Sequence, residues 1–160
     1  HEPEILETGG GILNIMSTIA NEPLLVVNSD VVLQSNNAHP LSELVNSWDS
    51  QNMELIALLE QNRTQYKRSN GDFNLSSNGK LLNEGDQKEY IFMGAYIISP
   101  EFFKGYDVHK FRVPEIIFKA SGEDHKFFGI ENTSTWFDIG SKESLEVANK
   151  YLKENEAKAN

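Results

Sequence analysis

Two short aliphatic runs, Leu24-Leu25-Val26-Val27 and Leu55-Ile56-Ala57-Leu58-Leu59, constrain the fold of this chain most. Neither is long enough for a helix, and neither alternates with polar residues as a half-exposed strand does. Such runs suit a parallel sheet, whose interior strands are covered on both faces. Between them Pro40 opens a segment with Leu41, Leu44, Val45 and Trp48 at i, i+3, i+4 and i+7, the stripe of a surface helix packed on a sheet. Ahead of them Ile12, Ile15, Met16 and Ile19 recur at helical spacing directly after Gly9-Gly10-Gly11, which predicts a short helix with the glycines at its mouth. Helix, strand, helix, strand is an α/β frame. The polar triplet Asn28-Ser29-Asp30 then falls at a strand's carboxyl end, where open α/β sheets bind ligands.

The texture changes after Leu59. Asn78-Gly79 lies between two short runs and predicts a hairpin, because both residues accept the positive φ of a tight turn. Tyr90 to Ile98 reads as a longer strand ended by Ser99-Pro100, and Gly94 inside it marks close approach by a ligand or another backbone. Val113-Pro114 begins a helix carrying Ile116, Ile117 and Ala120, and Lys126 to Ile130 is a strand. Thr135 to Gly140 is a strand running into a turn. Ser141 caps a last helix whose stripe is Leu145, Ala148, Tyr151 and Leu152. Residues 1–152 read as one unit without repeat or linker, and 153–160 as a charged, frayed tail.

Composition narrows the function classes. The 160 residues suffice for one real core, and 24 acidic against 14 basic side chains give a net charge of -10. That balance argues against nucleic acid as a partner, since phosphate-backbone binders concentrate Lys and Arg. The absence of Cys removes thiolate metal sites and cysteine nucleophiles. No run approaches the roughly 18 apolar residues of a membrane span, and the start, HEPEILETGGG, lacks the regions of a signal peptide, so a cytoplasmic chain without membrane partners is expected. His1 in place of Met points to a fragment or a processed chain.

Three constellations could carry chemistry. Thr8-Gly9-Gly10-Gly11 before a helix lets backbone approach a flat or anionic ligand, or is a loop without one. Asn28-Ser29-Asp30 sets a carboxylate at a strand's edge, where it holds Mg²⁺ or caps the following loop. Trp136-Phe137-Asp138-Ile139-Gly140-Ser141 flanks one acid with bulky apolar residues, so the carboxylate is paired, metal-bound or turned outward on an alternating strand. His1, His39, His109 and His125 are scattered without metal-ligand spacing, and no G-x-S-x-G elbow is present.

Taken in order, LETGGGI (6–12), LLVVNSDV (24–31), GDF (71–73), YIFMGAYIISP (90–100) and WFDIGS (136–141) resemble the sugar-1-phosphate nucleotidyltransferases, most closely those of the N-acetylmuramate-1-phosphate uridylyltransferase and mannose-1-phosphate guanylyltransferase type. The resemblance implies a Rossmann-like domain with a mixed, mostly parallel sheet, flanking helices and an inserted β-hairpin. Its implied reaction joins a nucleoside triphosphate to a sugar 1-phosphate, giving a nucleotide sugar and pyrophosphate, in cell-wall (peptidoglycan-recycling) metabolism. By the same resemblance Asp30 and Asp138 share a catalytic Mg²⁺. Thr8, Gly9, Gly10 and Asn28 contact the nucleotide, and Gly94 and, more weakly, Asp72 contact the sugar. Departures are as informative. The family's Gly-rich triphosphate loop, with its Arg and Lys, has no counterpart here, and Ser141 stands where Thr is more usual. The chain therefore reads as a C-terminal portion, with two expectations: no competent catalysis alone, and an unpaired apolar edge at Leu24–Val27. The rival reading of another class is a non-catalytic, truncated nucleotide-sugar-binding fragment.

Overall fold

The computed structural model describes residues 5–16, 18–19, 22–34, 39–62, 70–120 and 124–159, apart from the side chains of 156–159. His1, Arg63 and Arg68 lie outside the described residues. In chain order the elements are α1 (Glu7–Met16), β1 (Leu24–Val27), β2 (Val31–Gln34), α2 (Pro40–Ser47), β3 (Leu55–Gln61), the hairpin β4 (Asn74–Leu75) and β5 (Leu81–Leu82), β6 (Tyr90–Ile98), a 3₁₀ turn (Pro100–Phe103), α3 (Val113–Lys119), β7 (Phe127–Glu131), β8 (Thr135–Asp138) and α4 (Lys142–Ala159).

Four strands form the main sheet in the order β1-β6-β3-β7, and β2 with β8 makes a separate two-stranded ribbon. The sheet is mixed and flanked by helices, as expected, but the balance of pairing differs. β3–β7 is its parallel ladder, whereas β1–β6 and β6–β3 are antiparallel. The reason lies in the connection. The hairpin excursion after β3 leads into β6 running back beside it, inserted between β1 and β3, two strands that would otherwise be parallel neighbours.

β3 fulfils the reading of its aliphatic run. Leu55, Ala57 and Leu59 enter one core with Ile12, Tyr96, Phe103 and Ile117, while Ile56 and Leu58 enter a second with Leu44, Met93 and Trp136. β1 does not, because only one of its faces is covered. Leu24 and Val26 pack on the first core, but Leu25 and Val27 remain 47% and 41% exposed. Among the described strands, β1 has a ladder partner on one side only, β6.

The hairpin turns at Gly79 with φ +82. Within α2, Leu44 is buried but Val45 points outward. Ser141 caps α4 by accepting from the Ser144 N–H at 3.1 Å. Along α4 Ala148 is buried whereas Leu145 and Tyr151 are partly exposed, and the helix continues to Ala159 through the segment read as a frayed tail. Among the described residues no helix is long and apolar enough to cross a membrane.

Candidate functional site

The ribbon brings Asp30 and Asp138 together. Asp30 closes the turn between β1 and β2, and Asp138 ends β8. Val31 pairs with Asp138, and the Ile139 N–H donates to the Asp30 carbonyl at 2.8 Å, extending the pairing past the strand end. Gly140 lies beneath both carboxylates. Its N–H donates to Asp138 Oδ1 at 3.0 Å. A Cβ at residue 140 would stand 3.0 Å from Asp30 Oδ2 and 3.1 Å from Asp138 Oδ1, so the two oxygens border one small volume beside Gly140. Both aspartates are solvent-accessible.

The donor set fits magnesium. Mg²⁺ takes oxygen ligands and is usually held by one or two carboxylates, the remaining positions going to water and substrate phosphates. Among the described residues no cluster of three or more His, Asp or Glu forms, and Asp30 and Asp138 stand over Gly140 as a pair.

Asn28 and Gly94 adjoin this corner. The Asn28 N–H donates to the Gly94 carbonyl at 2.8 Å, carrying the β1–β6 pairing one residue beyond Val27. Gly94 has φ +75, and a Cβ there would meet Asn28 Nδ2 at 2.5 Å and Cγ at 2.8 Å. The close approach that its glycine predicted is therefore made by the Asn28 side chain.

The glycine triplet behaves differently from its reading. Gly9 and Gly10 lie inside α1, buried, and their N–H groups both donate to the Phe111 carbonyl, at 3.0 and 3.3 Å. A Cβ on Gly9 would overlap the Phe111 ring, and one on Gly10 would overlap the His109 carbonyl oxygen. These glycines let a helix lie against the backbone of 109–111, and the donors expected to face a ligand are already engaged. Thr8 remains exposed on the first turn.

Asp72 also has a structural partner. Its Oδ2 accepts from the Phe92 N–H at 2.8 Å, tying the segment before the hairpin to β6.

A buried polar knot has no forerunner in the sequence reading. Glu60, on β3, and Asn132, just after β7, are each 7% exposed and joined by a 2.8 Å hydrogen bond from Asn132 Nδ2 to Glu60 Oε2. In sequence, a carboxylate at the end of an aliphatic run looks like a strand terminus facing water. A signal was available only in the Asn-x-Ser spacing of Asn132 and Ser134, which favours an Asx-type turn.

No protein-family model matches the chain. It is 23% identical over 155 residues to the N-acetylmuramate alpha-1-phosphate uridylyltransferase of Caulobacter vibrioides, a match covering 94% of this chain and 63% of that protein. HddC from Yersinia pseudotuberculosis, complexed with GMP-PN, superposes with a TM-score of 0.68 at 22% identity over 94% of this chain and 64% of that one. A UDP-glucose pyrophosphorylase complexed with UDP-glucose gives 0.72 at 17% identity over the same shares, 94% and 64%. This is a nucleotidyltransferase fold. The UTP-bound UGPase from Acinetobacter baumannii shares it, with a TM-score of 0.73 at 14% identity, over 94% of this chain and 57% of that one. The chain thus spans less than two thirds of the length of these nucleotidyltransferases.

Proposed function

We propose that this chain carries the metal- and sugar-binding portion of a sugar-1-phosphate nucleotidyltransferase. The favoured substrates are UTP and N-acetylmuramate 1-phosphate. In the reaction an oxygen of the sugar phosphate forms a bond to the α-phosphorus of the triphosphate, the α–β bridging bond breaks, and pyrophosphate leaves. The observation that carries the reading is the meeting of Asp30 and Asp138 over Gly140, on a nucleotidyltransferase fold.

Such a transfer brings two anions together, so it depends on positioning and charge neutralisation more than on a covalent nucleophile. Asp30 and Asp138 would hold Mg²⁺, which when bound offsets phosphate charge and orients the reacting groups. Thr8, exposed at the start of α1, is the accessible part of the proposed base-contacting segment. Asn28 and Gly94 form the adjoining wall for nucleotide and sugar. Guanine nucleotide with a mannose-type 1-phosphate is the second reading, supported by the likeness to HddC, whose structure holds GMP-PN.

The test is pyrophosphate release by the full-length gene product from a panel of sugar 1-phosphates with UTP, GTP and dTTP. Asp30→Asn and Asp138→Asn, which keep side-chain volume, are expected to lose about 100-fold or more in turnover with unchanged circular dichroism. Wild-type turnover in either variant would remove that residue from the mechanism. Tight nucleotide-sugar binding without pyrophosphate release from any pair would favour the non-catalytic fragment.

A further inference from the structure

Among the described strands, the ribbon that carries both aspartates shares no backbone ladder with the main sheet. Something else must fix it there. Trp136, Val31 and Leu33 pack apolar surface onto the second core, but such contacts are non-directional and tolerate sliding. At the aspartate end the short turn 28–30 joins β2 to β1, and the Asn28 N–H donates to the Gly94 carbonyl of β6 at 2.8 Å. At the other end of β8 the directional tie is a polar knot. Asn132 N–H donates to the Leu59 carbonyl at 2.7 Å, extending the β3–β7 pairing. Its side-chain amide donates to Glu60 Oε2 and to the Ser134 carbonyl, each at 2.8 Å. Its Oδ1 accepts from the Ser134 N–H at 3.2 Å and from Ser134 Oγ at 2.7 Å. Two donors and two lone pairs are the whole capacity of a primary amide, so this buried side chain is fully used.

Ser134 immediately precedes β8, and Asp138 ends it. Because side chains alternate along a strand, a one-residue slip of β8 against β2 would turn Trp136 out of the core and Asp138 away from Asp30. We propose that Glu60 and Asn132 are positioning residues. Clamped to the central strand β3, they fix where β8 starts and hence its register on β2 and the meeting of the two carboxylates. The metal consequence rests on the reading of Asp30 and Asp138 as a cation pair; the register consequence does not.

The experiment uses the 160-residue chain, amide-resolved NMR and Mn²⁺ as the probe. Asn132→Asp keeps the volume, removes both side-chain donors and sets a second carboxylate against Glu60. Cross-strand NOEs between Val32 and Phe137 are expected to disappear while those of β3–β6 persist, and Mn²⁺ affinity, read from paramagnetic broadening at Gly140, falls about 10- to 100-fold. Glu60→Gln, which retains an acceptor, should behave as wild type. Should Asn132→Asp not fold, Glu60→Met carries the same test, since its side chain suits the apolar neighbours Leu58 and Ile91. Wild-type ribbon NOEs in a folded Asn132→Asp or Glu60→Met variant would overturn the proposal. No Mn²⁺ broadening at Gly140 even in wild type, with the ribbon NOEs lost in the variant, would reject the metal reading and leave the positioning role standing.

Discussion

Replacing Gly10 by alanine sets two effects of opposite sign against each other. Helix propensity favours Gly10→Ala by about 1 kcal/mol, because alanine loses less backbone entropy inside a helix. Packing opposes it. The new methyl group would overlap the His109 carbonyl oxygen and stand 3.1 Å from its carbon, and main chain cannot swing aside as a side chain can. Relief requires α1 to separate from residues 109–111. The separation strains the bonds from the Gly9 and Gly10 N–H groups to the Phe111 carbonyl and from the Phe111 N–H to the Leu6 carbonyl. If the three bonds, at about 1 kcal/mol net each, are about half lost and overpacking costs about 2 kcal/mol, the loss is about 3–4 kcal/mol against the gain of 1. Net destabilisation of about 2–3 kcal/mol is expected. It should appear in urea unfolding as a lower midpoint at unchanged slope, and in thermal unfolding as a fall of roughly 4–12 °C for a chain of this size. Equal or greater stability in Gly10→Ala would refute the packing account and return these glycines to ligand contact.

Three further outcomes follow from the geometry. Gly94→Ala combines a φ of +75 with overlap on the Asn28 amide, so it should cost about 1–3 kcal/mol in denaturant titration, part of it recovered in the double variant with Asn28→Ala. Strict additivity of the two substitutions would deny the contact. Gly140→Ala places a methyl group between the two carboxylates at an exposed position, so Mn²⁺ affinity should fall while the melting temperature barely moves; undiminished affinity would mean that this volume is not the cation's. For His125, burial and then the Lys80 charge lower the pKa, outweighing the backbone hydrogen bond to Leu81. The folded state therefore binds this proton less readily than the unfolded chain. The associated stability is present above the ordinary histidine value of about 6.5 and is lost as pH falls through the lowered one. Between pH 7.5 and 5.5 the wild type should lose more stability than His125→Gln, and equal losses would argue against the shift.

Legibility in the sequence tracked how local each signal was. The Leu55–Leu59 run declared a strand buried on both faces because every residue in it is apolar, and the hairpin was readable from Asn78-Gly79 alone. Leu24–Val27 carries the same kind of run yet is covered on one face only, since composition cannot say whether a neighbour covers the second face. Asp30 is legible as a candidate because it follows an apolar run, and Asp138 because bulky apolar residues flank it. Their meeting over Gly140 depends on strand pairing, which no single segment contains. The glycine triplet was placed ahead of its helix because glycine is a poor helix former, and packing against 109–111 overrides that propensity. Glu60 and Asn132 carry no local signal of their pairing: it spans 72 residues, and neither looks buried in its own neighbourhood.

Both aspartates ride at one tip of a two-stranded ribbon that, among the described strands, forms its ladder with itself and not with the main sheet. A tilt of that ribbon about the turn at 28–30, which Asn28 anchors to Gly94, would carry the pair as a unit, preserving the gap between the acids while altering the direction they face. Spacing and direction are thereby separable quantities in this architecture. The first is written into four facing residue pairs, the second into how firmly the far end is pinned to the scaffold.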